Sequence, residues 1–262
     1  MASDPKTLES KTPEATDAPG AVLGSGTLIV TPTYNERANL EAFVEATLGV
    51  APGAHVLIVD DNSRDGTGVL ADELAARDKR VRVLHRPSKL GLGTAYTAAF
   101  QLGLHEDYRY FFEMDADLSH DPRHLPDFFE QLEAGADLVV GSRNVPRGNV
   151  TGWGAGRQLL SKGSSLYSRL ILGVGVRDLT SGYKGFRRSA LQAILTENIV
   201  SNGYSFQIEL TYRALRLGLD VREVPIVFMD RQAGTSKMDR KMVLEAVTTV
   251  WKLRFRSLQR HG

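Results

Sequence analysis

The sequence predicts an α/β protein built on a mainly parallel sheet flanked by helices. From residue 27 onward, short apolar runs alternate with longer amphipathic ones, the pattern of repeated strand–helix units. The carboxyl ends of the apolar runs then collect carboxylates, an aromatic ring and a guanidinium, along the rim where parallel sheets hold their ligands. The length of 262 residues suits one large α/β domain or two small ones, and no repeat or second domain boundary appears before residue 142.

Taken in order, Thr27–Thr31, Ala54–Asp60, Val81–His85, Tyr110–Met114 and Ala136–Gly141 are predicted strands. Helices are predicted between them at 37–48, 66–77, 92–104 and 123–133, several opened by start signals such as Asp65-Gly66 and Asp121-Pro122. Past residue 142 the alternation stops. Gly148–Gly156 is glycine-rich, Arg157–Val176 reads as a helix with apolar and basic faces, and Val221–Met229 reads as one more strand. Near the C-terminus Leu244, Val247, Trp251, Phe255 and Leu258 recur at helical spacing, with Lys252 and Arg256 on another face. That stripe either packs on the domain or meets a membrane. The expected organisation is a leader over 1–25, a catalytic domain over 26–238 and a basic amphipathic helix over 239–262.

The net charge of +1 is unevenly spread. Residues 237–262 hold seven Lys or Arg against Asp239 and Glu245, whereas residues 1–26 hold Lys6 and Lys11 against Asp4, Glu9, Glu14 and Asp17. The overall balance gives no case for nucleic acid, but the C-terminal end is a local basic patch. There are no cysteines, which excludes disulfides, thiolate metal sites and cysteine nucleophiles. The first residues lack the apolar core of a signal peptide, and no apolar run approaches the roughly 20 residues that cross a bilayer. The expectation is a cytoplasmic chain with peripheral membrane contact.

The chemistry centres on Asp115-Ala116-Asp117, at the end of the predicted strand 110–114. Strand alternation would project both carboxylates the same way, and two hard oxygen ligands suit Mg²⁺ or Mn²⁺, which grips a diphosphate. Alone, such a pair reads more readily as a solvated acidic loop at a strand end, because it occurs by chance in many chains. Around it stand Tyr34 and Glu36 after the first strand, Asp61 after the second and Arg143 after the fifth. Gly91-Leu92-Gly93 is no dinucleotide fingerprint, because Tyr96 occupies the place of the third glycine.

The strings Pro32–Glu36, Val59–Thr67 and Asp115–Asp117 resemble the family 2 glycosyltransferases with the GT-A fold, a Rossmann-like nucleotide-diphospho-sugar transferase architecture. More narrowly, Arg86–Tyr96, Met114–His120, Gly141–Arg143, Thr180–Phe186 and Arg231–Lys237 are similar to the dolichyl- and polyprenyl-phosphate mannosyltransferases. The similarity covers about residues 27–240. It implies inverting transfer of mannose from GDP-mannose to a dolichyl or polyprenyl phosphate. By the same resemblance Pro32, Tyr34, Glu36, Val59 and Asp61 would line the nucleoside pocket, with Lys89 and Ala116 also on the donor side. Asp115 and Asp117 would bind the divalent metal, with Ser119 standing where some relatives carry Gln. Arg143 and Arg157 would hold the acceptor phosphate beside Ser161, with Lys184 a weaker candidate. Arg231 and Lys237 would reach the donor diphosphate from a loop that bends at Gly234. Asp117, Arg143, Arg157 and Arg231 form the implied catalytic set.

Chemistry supports the same acceptor. A lipid phosphate monoester is already anionic, so it needs cationic positioning rather than a general base. Transferases acting on sugar hydroxyls place a carboxylate after the Asp-X-Asp, whereas Thr180–Gly185 contains no acid and Asp178 precedes it. The competing readings are a UDP-sugar-dependent transferase such as a polyprenyl-phosphate glucosyltransferase, a nucleotidyltransferase, and a non-catalytic nucleotide- or lipid-binding module. Membrane access would come from the chain's own amphipathic helices or from a separate membrane subunit.

Overall fold

The structure, a computed structural model, describes residues 22–196, 199, 201, 203–230 and 248–255. Arg231, Lys237, Gly234, residues 1–21 of the predicted leader and most of the 239–262 segment therefore lie outside the described residues.

The elements follow the predicted order. They are β1 (Thr27–Thr33), α1 (Arg37–Val50), β2 (His55–Asp60), α2 (Thr67–Arg77), β3 (Val81–His85), α3 (Leu92–Leu104) and β4 (Tyr110–Glu113). A short 3₁₀ turn (Pro122–His124), α4 (Leu125–Glu133) and β5 (Leu138–Ser142) complete this half. Then come β6 (Asn149–Thr151), α5 (Ala155–Leu172), β7 (Lys184–Arg187), α6 (Arg188–Leu195), α7 (Gly203–Arg216), β8 (Val221–Pro225) and β9 (Val227–Met229). Seven strands form one sheet in the order β3-β2-β1-β4-β7-β5-β8, and β6 pairs with β9 in a separate ribbon. Every pairing in the large sheet is parallel except those of β7, which runs antiparallel to both β4 and β5.

Both faces of the sheet are covered, and strand alternation sorts the apolar residues between them. In β4, Phe112 turns toward α4, with its ring centroid 5.7 Å from Phe128 and 5.1 Å from Phe129. Its neighbour Phe111 turns the other way and meets Phe100 of α3 edge-on at 6.2 Å. Leu40, Phe43 and Leu48 of α1 join the first face, while Tyr96 of α3, Leu191 of α6 and Phe206 of α7 join the second. Each fully buried Leu, Val or Phe contributes about 1.5–3 kcal/mol relative to exposure, so these two layers hold the sheet rigid.

Three departures from the sequence reading matter for the site. The segment 221–229 is two strands, because β8 ends at Pro225, which has no backbone N–H to donate, and Ile226 passes the chain to the ribbon. The Ile226 N–H still bonds the Ser142 carbonyl at 3.1 Å, and its own carbonyl accepts from Asn149 N–H at 3.0 Å. The helix predicted to run to Val176 ends at Leu172, where Gly173 adopts a left-handed φ of 68°. The third departure is β7 itself. Because it is antiparallel, the loop before it reaches the same rim as the carboxyl ends of β1, β2, β4 and β5.

The C-terminal stripe is also reassigned within the described residues. Residues 248–255 are helical, and it is Val250 and Leu253 that pack with Leu172, Leu179, Ile208 and Tyr212. Trp251 and Phe255, predicted to share the stripe, stack on each other at 5.8 Å and remain 42% and 57% exposed.

Candidate active site

Four loops meet at the carboxyl rim, and backbone strain concentrates there. Among the described residues, positive φ occurs at the non-glycine positions Asn35, Asn62, Leu118 and Arg147, and the first three follow β1, β2 and β4. Asn tolerates this region, but Leu does not readily, so Leu118 at +60° marks a turn fixed by its surroundings.

That turn carries the acidic pair. The strand β4 ends at Glu113, so Asp115 and Asp117 lie in the loop beyond it rather than on one alternating strand face. Asp117 is buried, and its Oδ1 accepts from both the backbone N–H and the hydroxyl of Ser119, at 3.0 and 2.6 Å. Asp115 is about one-third exposed, and its backbone N–H donates to His120 Nδ1 at 3.0 Å. That bond fixes the buried His120 with Nδ1 as acceptor. Ser119, expected as a metal ligand, donates its hydroxyl hydrogen to Asp117 and so orients that carboxylate. Ala116 is buried in the core below.

The donor set fits a hard divalent cation. Two carboxylates separated by one residue, one buried and hydrogen-bonded and one facing solvent, supply oxygen ligands of the kind Mg²⁺ and Mn²⁺ take. Among the described residues no group of three His, Cys, Asp or Glu forms a complete cage. A cation there would need ligands from a bound diphosphate or water, as Mg²⁺ sites commonly do.

The residues assigned to the nucleoside side gather on the β1 and β2 loops. Lys89 Nζ lies 4.2 Å above the ring of Tyr34. Asp61 stands 2.9 Å from Arg86 as an ion pair, off the line of a hydrogen bond. Burial raises the Asp61 carboxyl above its ordinary range, against the opposing pull of Arg86 and Lys89. Arg86 in turn donates to Thr94 at 2.7 Å, which anchors it to α3. Its role was not foreseen, although it opens one of the recognised strings. Glu36 accepts from Asn39 at 2.9 Å at the start of α1. Pro32 is half-buried opposite Val59 in the β1–β2 register. Val59 has its side chain wholly buried in the apolar layer that holds Leu28, Val30 and Leu57, so its backbone is what it offers a ligand.

The cationic side is built from β5, the β6–β9 ribbon and α5. Arg143 lies at the end of β5, and its Nε and Nη2 donate to the two oxygens of Asp178 at 2.7 Å each, with Thr180 accepting at 2.9 Å. Burial would raise Asp178, but Arg143 outweighs it and holds the carboxyl below its usual range. The unassigned Asp178 is thus the post that aims Arg143. Arg157 donates to Asp230 at 2.9 Å and stacks 4.0 Å above Trp153. Ser161 is half-buried one turn along α5.

Lys184 departs most from its expected role. It is wholly buried, 4.0 Å from Glu113, and donates to the carbonyls of Ser181 and Gln207, at 2.7 and 3.1 Å, and to the Gln207 side chain. Burial pushes the Glu113 acid up to about 7 and the Lys184 ammonium down to about 8, each partly offset by the other. The ammonium therefore pins the 180–183 loop from below instead of meeting a phosphate. That loop presses on the acidic turn. A Cβ added to Gly182 would lie 3.3 Å from the His120 ring and 4.0 Å from Asp115 Oδ2. Aromatic contacts close the circuit, with His120 5.2 Å from Tyr183 and 5.5 Å from Phe228, and Phe228 5.4 Å from Trp153. The acidic turn and the arginines consequently share one rim.

Known proteins are similar to this chain in sequence and fold. The profile of the Glycosyl transferase family 2 matches residues 28–195. The chain is 49% identical over 233 residues to the polyprenol monophosphomannose synthase of Mycolicibacterium smegmatis, covering 88% of each. It is 46% identical over 223 residues to the undecaprenyl-phosphate mannosyltransferase of Micrococcus luteus, covering 85% of this chain and 91% of that protein. Among solved structures, glucosyl-3-phosphoglycerate synthase from Mycobacterium tuberculosis, in complex with Mn²⁺, UDP-glucose and phosphoglyceric acid, superposes with a TM-score of 0.65 at 21% identity. That match covers 88% of this chain and 80% of the synthase, and it shows a shared fold. With a seven-stranded sheet of this topology and a family match across most of it, the chain belongs to the family 2 glycosyltransferases.

Proposed function

We propose that this protein moves mannose from GDP-mannose to the phosphate of a dolichyl or polyprenyl lipid, with inversion, releasing GDP and a β-linked mannosyl phosphate. One observation carries the choice of acceptor. The loop facing Asp115 and His120 is Thr180-Ser181-Gly182, without an acid, and the nearby Asp178 is buried and committed to Arg143. Such a site suits a nucleophile that arrives charged. The names of the two relatives point the same way.

In this reading Tyr34, Glu36, Asp61 and the backbone at Pro32 and Val59 receive the nucleoside, with Lys89 above the Tyr34 ring. Asp115 and Asp117 hold Mg²⁺ or Mn²⁺, which when bound neutralises charge on the departing diphosphate. Arg143 and Arg157, beside Ser161, orient the acceptor phosphate, and Arg231 and Lys237 serve the donor side. A phosphate oxygen attacks C1 of mannose, the bond from C1 to the GDP oxygen breaks, and its electron pair leaves with GDP. No proton need move. The catalytic unit is residues 26–238.

The surface beside the arginines suits a lipid acceptor. Along α5, Leu159 and Leu170 are 74% and 72% exposed, and Leu166 is also exposed, as are Trp251 and Phe255 on the adjoining C-terminal helix. Arg169, Lys252 and Arg254 accompany them, the composition of a face that lies in a membrane interface. No helix among the described residues is long and apolar enough to cross a membrane.

The test is incubation with Mg²⁺ or Mn²⁺, a short polyprenyl phosphate and a panel of nucleotide sugars, with the product identified by mass. A mannosyl phosphate from GDP-mannose is expected. A product formed only from UDP-glucose or UDP-GlcNAc would reassign the donor.

A further inference from the structure

Trp153 stands at the centre of the cationic side, in the glycine-rich stretch before α5, and has no role in the reading above. Its ring lies 4.0 Å beneath the Arg157 guanidinium and 5.9 Å from that of Arg143, so one indole touches both cations. Phe228 meets the same ring edge-on at 5.4 Å and lies 5.4 Å from Arg143. The placement is built in by the ribbon. Gly152 has a φ of +82°, and a Cβ there would lie 2.8 Å from that of Asp230, so glycine lets β6 close on the Asp230 that pairs with Arg157. The side chain of Gln158 then donates to the Trp153 carbonyl at 3.1 Å and ties the turn to α5.

Two donors in this cluster are buried with no hydrogen-bond partner, the indole N–H of Trp153 and the Nε–H of Arg157. A buried donor left unsatisfied is costly, and a bound ion is one of the physical explanations for such a group. Two unsatisfied donors on stacked groups, beside a second guanidinium, call for an oxyanion. Cation–π contact with the indole adds to the ion pairs that Asp178 and Asp230 make with Arg143 and Arg157.

We propose that Trp153 is a binding residue of the acceptor site, clamping the two arginines with its ring and offering its indole N–H to an oxygen of a phosphate monoester. The proposal rests on the reading that Arg143 and Arg157 take the acceptor phosphate, and it adds the residue that sets their spacing.

Trp153 and Trp251 are the only tryptophans, so Trp251→Phe leaves Trp153 as the sole indole. In that variant, saturable change of emission is expected with short polyprenyl phosphate, a weaker one with inorganic phosphate, and none with the matching polyprenol. Kinetics on the otherwise native chain give the second readout. Trp153→Phe keeps the aromatic face and should raise the acceptor KM several-fold, Trp153→Leu should raise it more than tenfold, and neither should move the donor KM beyond twofold. Unchanged acceptor KM in both variants would overturn the proposal. So would equal losses for donor and acceptor accompanied by a lowered Tm. If the chain transfers to lipid phosphate while Trp153 emission stays silent, this inference fails and the function stands. If no transfer occurs but emission answers to phosphate, the anion site stands and the assigned reaction falls.

Discussion

At the residue scale the account turns on two carboxylates with different surroundings. Asp117 is buried and takes two hydrogen bonds from Ser119, while Asp115 is partly exposed and its backbone is tied to His120. Asp115→Asn and Asp117→Asn should each lower kcat by about 10²-fold or more if a cation there stabilises the leaving diphosphate, with circular dichroism unchanged. Ser119→Ala should cost less, because it removes one bond from a carboxylate that remains. The Arg143–Asp178 pair adds a pH signature. The folded Asp178 carboxyl lies below its ordinary 3.8, so its stabilisation is complete above that pH and is lost as pH falls through the lower folded value. Urea midpoints measured down the acid limb should fall more steeply in the wild type than in Asp178→Asn below roughly pH 4. The sequence named Asp115, Asp117 and Arg143 because recognised strings carry their types and order, and Arg157 through the wider resemblance. It could not show that Asp178 aims Arg143 or that Lys184 lies in the core, because both depend on chain partners far away in sequence.

At the element scale, the parallel half of the sheet was legible because each strand is a run of apolar residues followed by a helix start. Strand β7 was not, since Lys184-Gly185-Phe186-Arg187 is short, half cationic and contains glycine. Its place follows from tertiary pairing, with Lys184 opposite Glu113 and Phe186 opposite Phe111. Helices α6 and α7 were missed with it, although their apolar faces close one side of the sheet. The buried pair that joins β4 to β7 is a test of this strand. Lys184→Met should destabilise the fold by about 3–5 kcal/mol, because it leaves the Glu113 acid buried without its partner. Adding Glu113→Gln should recover most of that loss, and denaturant unfolding of both variants checks it. No recovery in the double variant would mean that Lys184 matters chiefly through its bonds to Ser181 and Gln207.

At the scale of the whole molecule, the exposed apolar residues of α5 and of helix 248–255 carry the proposed membrane face. The net charge of +1 hides the basic C-terminal segment, and the exposed large apolar residues of α5 and of helix 248–255 include Leu159, Leu160, Leu166, Leu170, Trp251 and Phe255. The proposed membrane face predicts flotation with vesicles containing anionic lipid, reduced at high salt. Removing 239–262 should weaken it, and changing Leu159 and Leu170 to Gln should weaken it further. Binding unaffected by both changes would assign membrane access to a separate subunit. The periodicity of the tail was legible, but its inward face was not, because Val250 and Leu253 are chosen by the pocket that α5 and α7 present.

The central claim is that the acceptor arrives as an anion, so that arginines replace a general base. Its most direct test is transfer of labelled mannose from GDP-mannose, with divalent metal, to two acceptors of identical chain, a short polyprenyl phosphate and the corresponding polyprenol. The account predicts mannosyl product from the phosphate and none above background from the alcohol. Comparable transfer to the alcohol would contradict it, since a hydroxyl would then need a general base, and the loop Thr180-Ser181-Gly182 facing Asp115 offers no acid.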